Sequence, residues 1–226
     1  VALIDAGAEQ LKALQAAAEQ ADQRYLSAAA RLSAARAKSA QKLDRAVNAE
    51  LAPLKLERAT FTTQIESDKE APGPHGIDRI EFWVQTNPGT RPGPMMKVAS
   101  GGELSRFLLA LKVVLSDRGS APTLVFDEID TGVGGAVADA IGARLARLAD
   151  KVQVMAVTHA PQVAARADQH YLISKDALDK GKRVATRVSA LVADHRREEI
   201  ARMLAGAEIT AEARAAAERL LRAAMV

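Results

Sequence analysis

The run Thr123-Leu124-Val125-Phe126-Asp127-Glu128-Ile129-Asp130 decides the fold. A short, largely apolar stretch leads straight into two adjacent carboxylates, which reads as a buried strand that delivers acids at its carboxyl end. A second run, Val152-Gln153-Val154-Met155-Ala156-Val157, ends in Thr158-His159-Ala160-Pro161, and a helical stretch over 134–149 lies between the two. Strand, helix, strand is a βαβ unit with buried parallel strands, and so an α/β core. Ligands of open α/β sheets bind outside the carboxyl ends of the strands, where Asp127, Glu128 and His159 all fall. The first acid suits Mg²⁺ with several waters retained. The second suits orienting or deprotonating an attacking water. Taken alone, the acid pair is equally read as the polar opening of a loop. His159 alone is equally read as a satisfied or surface histidine.

Upstream stands Ser100-Gly101-Gly102-Glu103-Leu104-Ser105-Arg106, ahead of a helical stripe of Leu104, Phe107, Leu108, Leu111 and Leu115. Ser100 with Glu103 three residues later is a capping box, so a well-capped helix accounts for part of the pattern. It does not account for two glycines in the first turn, which cost helix stability. They strip side chains from a helix end whose free N–H groups and dipole attract phosphate. Downstream of Asp127, the stretch Ile129-Asp130-Thr131-Gly132-Val133-Gly134-Gly135 is a glycine-rich entry to the next helix. No G-x-x-x-x-G-K-[ST] phosphate loop occurs in the sequence.

Further out, Phe61, Thr63 and Ile65, and then Ile80, Phe82 and Val84, alternate with polar residues, as strands with one buried face do. Tyr171 to Ser174 and Arg183 to Leu191 form a closing hairpin, followed by two helices from Arg197 and Thr210. At the amino end a heptad runs through Leu11, Ala18, Tyr25 and Leu32, with Leu14, Ala21, Ala28 and Ala35 in the second seam position. This is the narrow stripe of a coiled coil, equally read as an amphipathic helix. Pro53 ends or kinks it.

Composition adds bounds. The 226 residues carry a net charge of +3, which permits a nucleic-acid partner without arguing for one. Arg187, His195, Arg196 and Arg197 are candidate phosphate contacts, against the simpler reading of a solvated helix face. With no cysteine there is neither a disulfide framework nor a thiolate metal site. No apolar run approaches the roughly 20 residues of a membrane span, so a cytoplasmic protein with no membrane partner is expected. The chain begins with Val, and the expectation is a piece of something longer.

In order, Ser-Gly-Gly-Glu, an apolar strand with Asp-Glu, an Asp-containing loop and a strand ending in His resemble the ATP-binding-cassette superfamily. Glu103, where transporters usually have Gln, is similar to its SMC-like branch of coiled-coil chromosome and repair ATPases. The strings over 98–106, 126–135, 157–164 and 199–206 resemble the bacterial members that act in recombinational repair of DNA double-strand breaks. The resemblance implies an α/β fold: the C-terminal lobe of an ATPase head over 53–226, a parallel sheet with flanking helices and a closing β-hairpin. A coiled-coil arm helix over 1–52 would precede it. It implies ATP and Mg²⁺ as cofactors. Ser100, Gly101, Gly102 and Glu103 would form the signature that binds ATP held by the opposing head. Asp127 would support Mg²⁺ through water, and Glu128 and His159 would be catalytic, as general base and γ-phosphate switch. Asp130 would belong to the loop that communicates across the head dimer. Expected partners are an N-terminal lobe of the same protein bearing the P-loop, a second head in an ATP-dependent homodimer, and DNA. Without that lobe the fragment is expected to be inactive. The alternatives are another coiled-coil ATPase of the branch, or a non-catalytic interaction module of the same shape.

Overall fold

A computed structural model describes residues 2–116, 121–127, 129–178, 183–206 and 208–224. Glu128 lies outside the described residues, as does the hairpin turn at 179–182. The chain forms two compact units, one of Val1–Asn48 and Thr60–Val98, the other of Ala49–Ala59 and Ala99–Val226. None of the described helices is long and apolar enough to cross a membrane.

In the first unit, the Ala-rich amino end folds as one helix, α1 (Ala2–Leu51), as expected of the best helix former. Most of the heptad seam is bare: Leu11 and Leu14 are 59% and 62% exposed, Ala28 and Ala35 are exposed too, and Tyr25 is half-buried. The face that turns inward instead carries Ala29, Ala40 and Val47. That face lies on strands. Those strands are β1 (Thr60–Ser67) and β2 (Asp78–Gln85), antiparallel with Phe61 opposite Val84, Thr63 opposite Phe82 and Ile65 opposite Ile80. Phe61 and Val84 are buried, and the Phe61 and Phe82 rings pack with centroids 5.4 Å apart. Burial fails at the other end of the same face, where Ile80 is exposed. There α1 presents Ser33 and Arg36, which reach Asp78 rather than the Ile80 side chain. A two-residue strand β3 (Gly93–Pro94) and a helical turn α2 (Met95–Val98) complete this unit.

The second unit holds α3 (Gly101–Val114), β4 (Thr123–Asp127), α4 (Gly135–Ala149), β5 (Gln153–Val157) and α5 (Pro161–Ala165). After them come the hairpin β6 (Tyr171–Leu178) and β7 (Arg183–Ala190), then α6 (Ala193–Ala205) and α7 (Ala211–Ala223). Strands β4 and β5 pair in parallel, Val125 opposite Met155 and Asp127 opposite Val157, so the βαβ unit forms as its pattern dictates. The expected burial of both faces does not. Val125, Met155 and Val157 are 66%, 55% and 50% exposed, because among the described residues this sheet has two strands and nothing covers that side. Leu124, Phe126 and Val154, on the opposite side, are half-buried.

The buried face of α4 is Ala138, Ile141, Gly142, Leu145 and Leu148. Gly142 is needed where it stands, since a Cβ there would come 2.9 Å from Arg166 Cδ and 3.3 Å from the Val163 backbone. That close approach seats α5 on α4. Arg166 reinforces it with two hydrogen bonds to the Asp139 carboxylate, at 3.0 and 3.2 Å. Ala164, Ala165, Ile200, Ala201 and Ala217 then join α5, α6 and α7 in one small-residue core.

Candidate functional site

Parallel pairing carries the ends of β4 and β5 to one sheet edge, so Asp127 and the Thr158-His159 turn leave the sheet side by side. Asp127 and His159 are exposed. Ile129 is fully buried and anchors the chain just past the acid pair. Next to it the Asp130 side chain is 0% exposed. Its Oδ2 accepts a hydrogen bond from the Thr158 hydroxyl and a second, at 3.0 Å, from the Ala160 N–H. Asp130 thus joins the loop after β4 to the turn after β5. Its other oxygen lies 3.7 Å from His159 Nδ1.

The capping-box pattern of α3 is present with Ser100 as N-cap. Glu103 Oε2 accepts the Ser100 N–H at 3.0 Å and the Ser100 hydroxyl at 2.6 Å. The hydroxyl bond is the main reason the Glu103 carboxyl is held below its ordinary pKa. Ser100 and Gly101 are exposed, so this helix end is open to solvent. Gly102 faces inward: a Cβ on it would lie 3.4 Å from Arg106 Nη1 and 3.8 Å from the Thr131 carbonyl oxygen. Gly101 thus leaves the outer surface of the helix end bare, while Gly102 lies beside the loop that holds Asp130, where a Cβ would make only ordinary contact. In that loop Gly132 has φ of +71°, a left-handed conformation that other residues rarely adopt.

Two contributors were not singled out from sequence. Arg106 is buried one turn into α3, burial lowers its pKa, and its Nε has no hydrogen-bond partner among the described residues. An arginine inside an apolar stripe was the available signal. Thr158 was quoted only as a neighbour of His159, yet a hydroxyl at a strand end is placed to bond a buried acid. Of the four basic candidates for phosphate contact, Arg196 is turned inward: its Nη2 donates to the carbonyl oxygens of Ala164, Ala165 and Ala167 at the end of α5. Arg197 stands 4.0 Å from Asp194.

The donor set limits the metal chemistry. Among the described residues no three His, Cys, Asp or Glu side chains cluster as a metal site. The exposed carboxylate of Asp127 suits Mg²⁺ held mainly by water and phosphate oxygens, the usual way that ion is bound.

No family model matches the sequence. The chain is 47% identical over 190 residues to the DNA repair protein RecN of Rickettsia bellii, a match covering 84% of this chain and 34% of that protein. It is 42% identical over 199 residues to the DNA repair protein RecN of Xylella fastidiosa, covering 88% and 35%. The same name is carried by a protein of Halalkalibacterium halodurans, 42% identical over 185 residues, covering 80% and 32%. The chain thus spans about a third of the length of these curated relatives. Among solved structures it is similar in fold to the Smc head domain with a coiled coil and joint from Pyrococcus yayanosii, with a TM-score of 0.53 and 19% identity, covering 73% of this chain and 29% of that one. A Pyrococcus furiosus Smc head with an extended coiled coil, bound to the C-terminal domain of ScpA, gives 0.50 and 20%, covering 69% and 35%.

Proposed function

The chain belongs to the RecN family of DNA repair proteins, and on that premise we propose that it is the C-terminal part of an ATPase head acting in recombinational repair of DNA double-strand breaks. Residues 1–52 are the base of a coiled-coil arm in this reading, and 53–226 the lobe that carries the signature, the acid pair and the switch histidine. The observation that carries it is the approach of α3 to the loop after β4, where a Cβ on Gly102 would lie 3.8 Å from the Thr131 carbonyl oxygen. A bare, positive helix end and a strand-borne acid then stand in one piece of structure.

ATP and Mg²⁺ are the cofactors of this reading, and when bound they supply the transferable γ-phosphate and the charge that neutralises it. Ser100, Gly101 and Gly102 present N–H groups and a hydroxyl to a γ-phosphate held on a second head. For that contact Ser100 must redirect the proton that it now gives to Glu103. Asp127 holds Mg²⁺ through water. Glu128 takes the proton of the attacking water, and His159 contacts the phosphate from the neighbouring turn. The exposed loop from Thr131 to Gly135 faces the second head, while the Asp130 side chain stays inside its own chain.

The partners are a P-loop-bearing N-terminal lobe, a second copy of the head, and DNA, which puts the protein with the nucleoid in the cytoplasm. Support for the first comes from the open side of β4–β5, where Val125, Met155 and Val157 form an apolar patch beside Asp127. A face of that kind is normally covered by another layer. ATP hydrolysis should be negligible for this chain alone and should appear when it is co-expressed with the P-loop-bearing lobe. Tight ATP binding or turnover by the chain alone would count against the reading.

A further inference from the structure

We infer that Asp130 is the positioning residue of His159: its buried carboxylate accepts a hydrogen bond from the imidazole Nδ1–H, so that Nε2 is the ring nitrogen left to solvent. A buried carboxylate is costly unless its oxygens are hydrogen-bonded. Oδ2 is bonded twice, by the Thr158 hydroxyl and the Ala160 N–H. Oδ1 has no hydrogen-bond partner among the described residues. His159 Nδ1 lies 3.7 Å from it, on a ring whose side chain is 72% exposed. That separation exceeds a hydrogen bond, but an exposed ring reorients on the picosecond-to-nanosecond scale. The acceptor is fixed and the donor is free, so the ring moves to the acid.

The two ring nitrogens have different tasks once one is bound. With Nδ1–H given to Asp130, Nε2 accepts a hydrogen bond in the neutral ring and donates one in the imidazolium. Ring orientation then stays constant and only the Nε2 proton changes. That consequence rests on the proposed ATP site; the pairing itself does not, and its test needs no nucleotide.

Asp130→Asn discriminates, because the Ala160 N–H can only donate. The amide oxygen must therefore occupy the Oδ2 place, which turns the NH₂ toward His159. A donor there is met only by a bare Nδ1, so the imidazole proton moves to Nε2. Side-chain ¹⁵N NMR of the 226-residue chain reads this directly, with His159→Gln identifying one resonance among four histidines. The pH should be about 8, above the ordinary imidazole value of about 6.5. The expected result is a protonated Nδ1 in the parent chain and a protonated Nε2 in Asp130→Asn. A bare Nδ1 in the parent chain, or the same tautomer in both, overturns the inference. Should the variant fail to fold, the parent spectrum decides alone by the same criterion. Absence of ATP turnover in the assembled head would sink the proposed function and leave this spectrum as it is.

Discussion

The β1–β2–β3 sheet and the β4–β5 sheet are both small, yet they meet solvent differently. Along β1 the free edge is closed from within its own unit. Asn48 on α1 accepts the Phe61 N–H at 2.9 Å and donates to the Phe61 carbonyl at 2.8 Å, so one amide side chain pairs as a neighbouring strand would. One turn earlier, Asp44 accepts both the Thr63 N–H and the Thr63 hydroxyl. Near the far end Asp78 gathers Ser33, Arg36 and Ser67, and the Tyr25 hydroxyl bonds both the N–H and the carbonyl of Gly73. Free edges invite unwanted pairing, and covering them is one remedy. The β4–β5 sheet has no such closure on its Val125–Met155 side. One region is complete in itself, while the other leaves apolar surface bare beside its candidate chemistry.

Four experiments break or sharpen that contrast. The largest effect is expected at the acid pair: in the assembled head, Glu128→Gln should keep ATP binding and lower turnover by about 10²–10⁴. Paired steady-state hydrolysis and nucleotide-binding measurements check it, and unchanged turnover removes Glu128 from its role. At the closed edge, Asn48→Ala leaves the Phe61 N–H and carbonyl without partners. It should lower stability by about 1–3 kcal/mol in denaturant unfolding; a smaller loss would mean that water replaces the amide.

The third is a pH dependence. Hydrogen bonds from Arg36 first, then Ser33 and Ser67, hold the Asp78 carboxyl down at about 2, against an ordinary 3.8. A depressed carboxyl contributes stability that is complete above the unfolded value. That contribution is therefore present above pH 3.8 and is lost as the pH falls through about 2. Asp78→Asn should flatten acid unfolding curves across that window, and parallel curves for the two chains would refute the assignment. The smallest effect is expected for Val125→Glu in this chain alone, within about 0.5 kcal/mol, as for other exposed positions. The same change should block co-purification with the P-loop-bearing lobe. A large loss of stability in the chain alone would mean that the face is already covered.

Much of this was legible in the residues. Period-two alternation placed β1 and β2, and the apolar runs ending in Asp127 and Val157 placed a parallel pair with α4 between them. Alanine content placed α1. In each case the signal is local, because backbone preference and side-chain period act over a few residues. What a heptad cannot say is whether its partner helix lies in the same chain, and here Leu11 and Leu14 stand bare. Nor can an apolar run say how many faces are covered, since that depends on layers contributed from elsewhere.

By itself, then, the sequence determined the main elements, their order, the α/β class and which residue types stand at the strand ends, but not the short β3 and α2. Only the tertiary structure decided that Asp130 turns inward to bond Thr158 and Ala160, that Arg106 lies under Gly102, and that Arg196 is spent on the carbonyls of α5. The physical reason is that a polar side chain takes its partner from residues distant in sequence. Burial makes that partner obligatory, but neither the residue type nor its spacing names it.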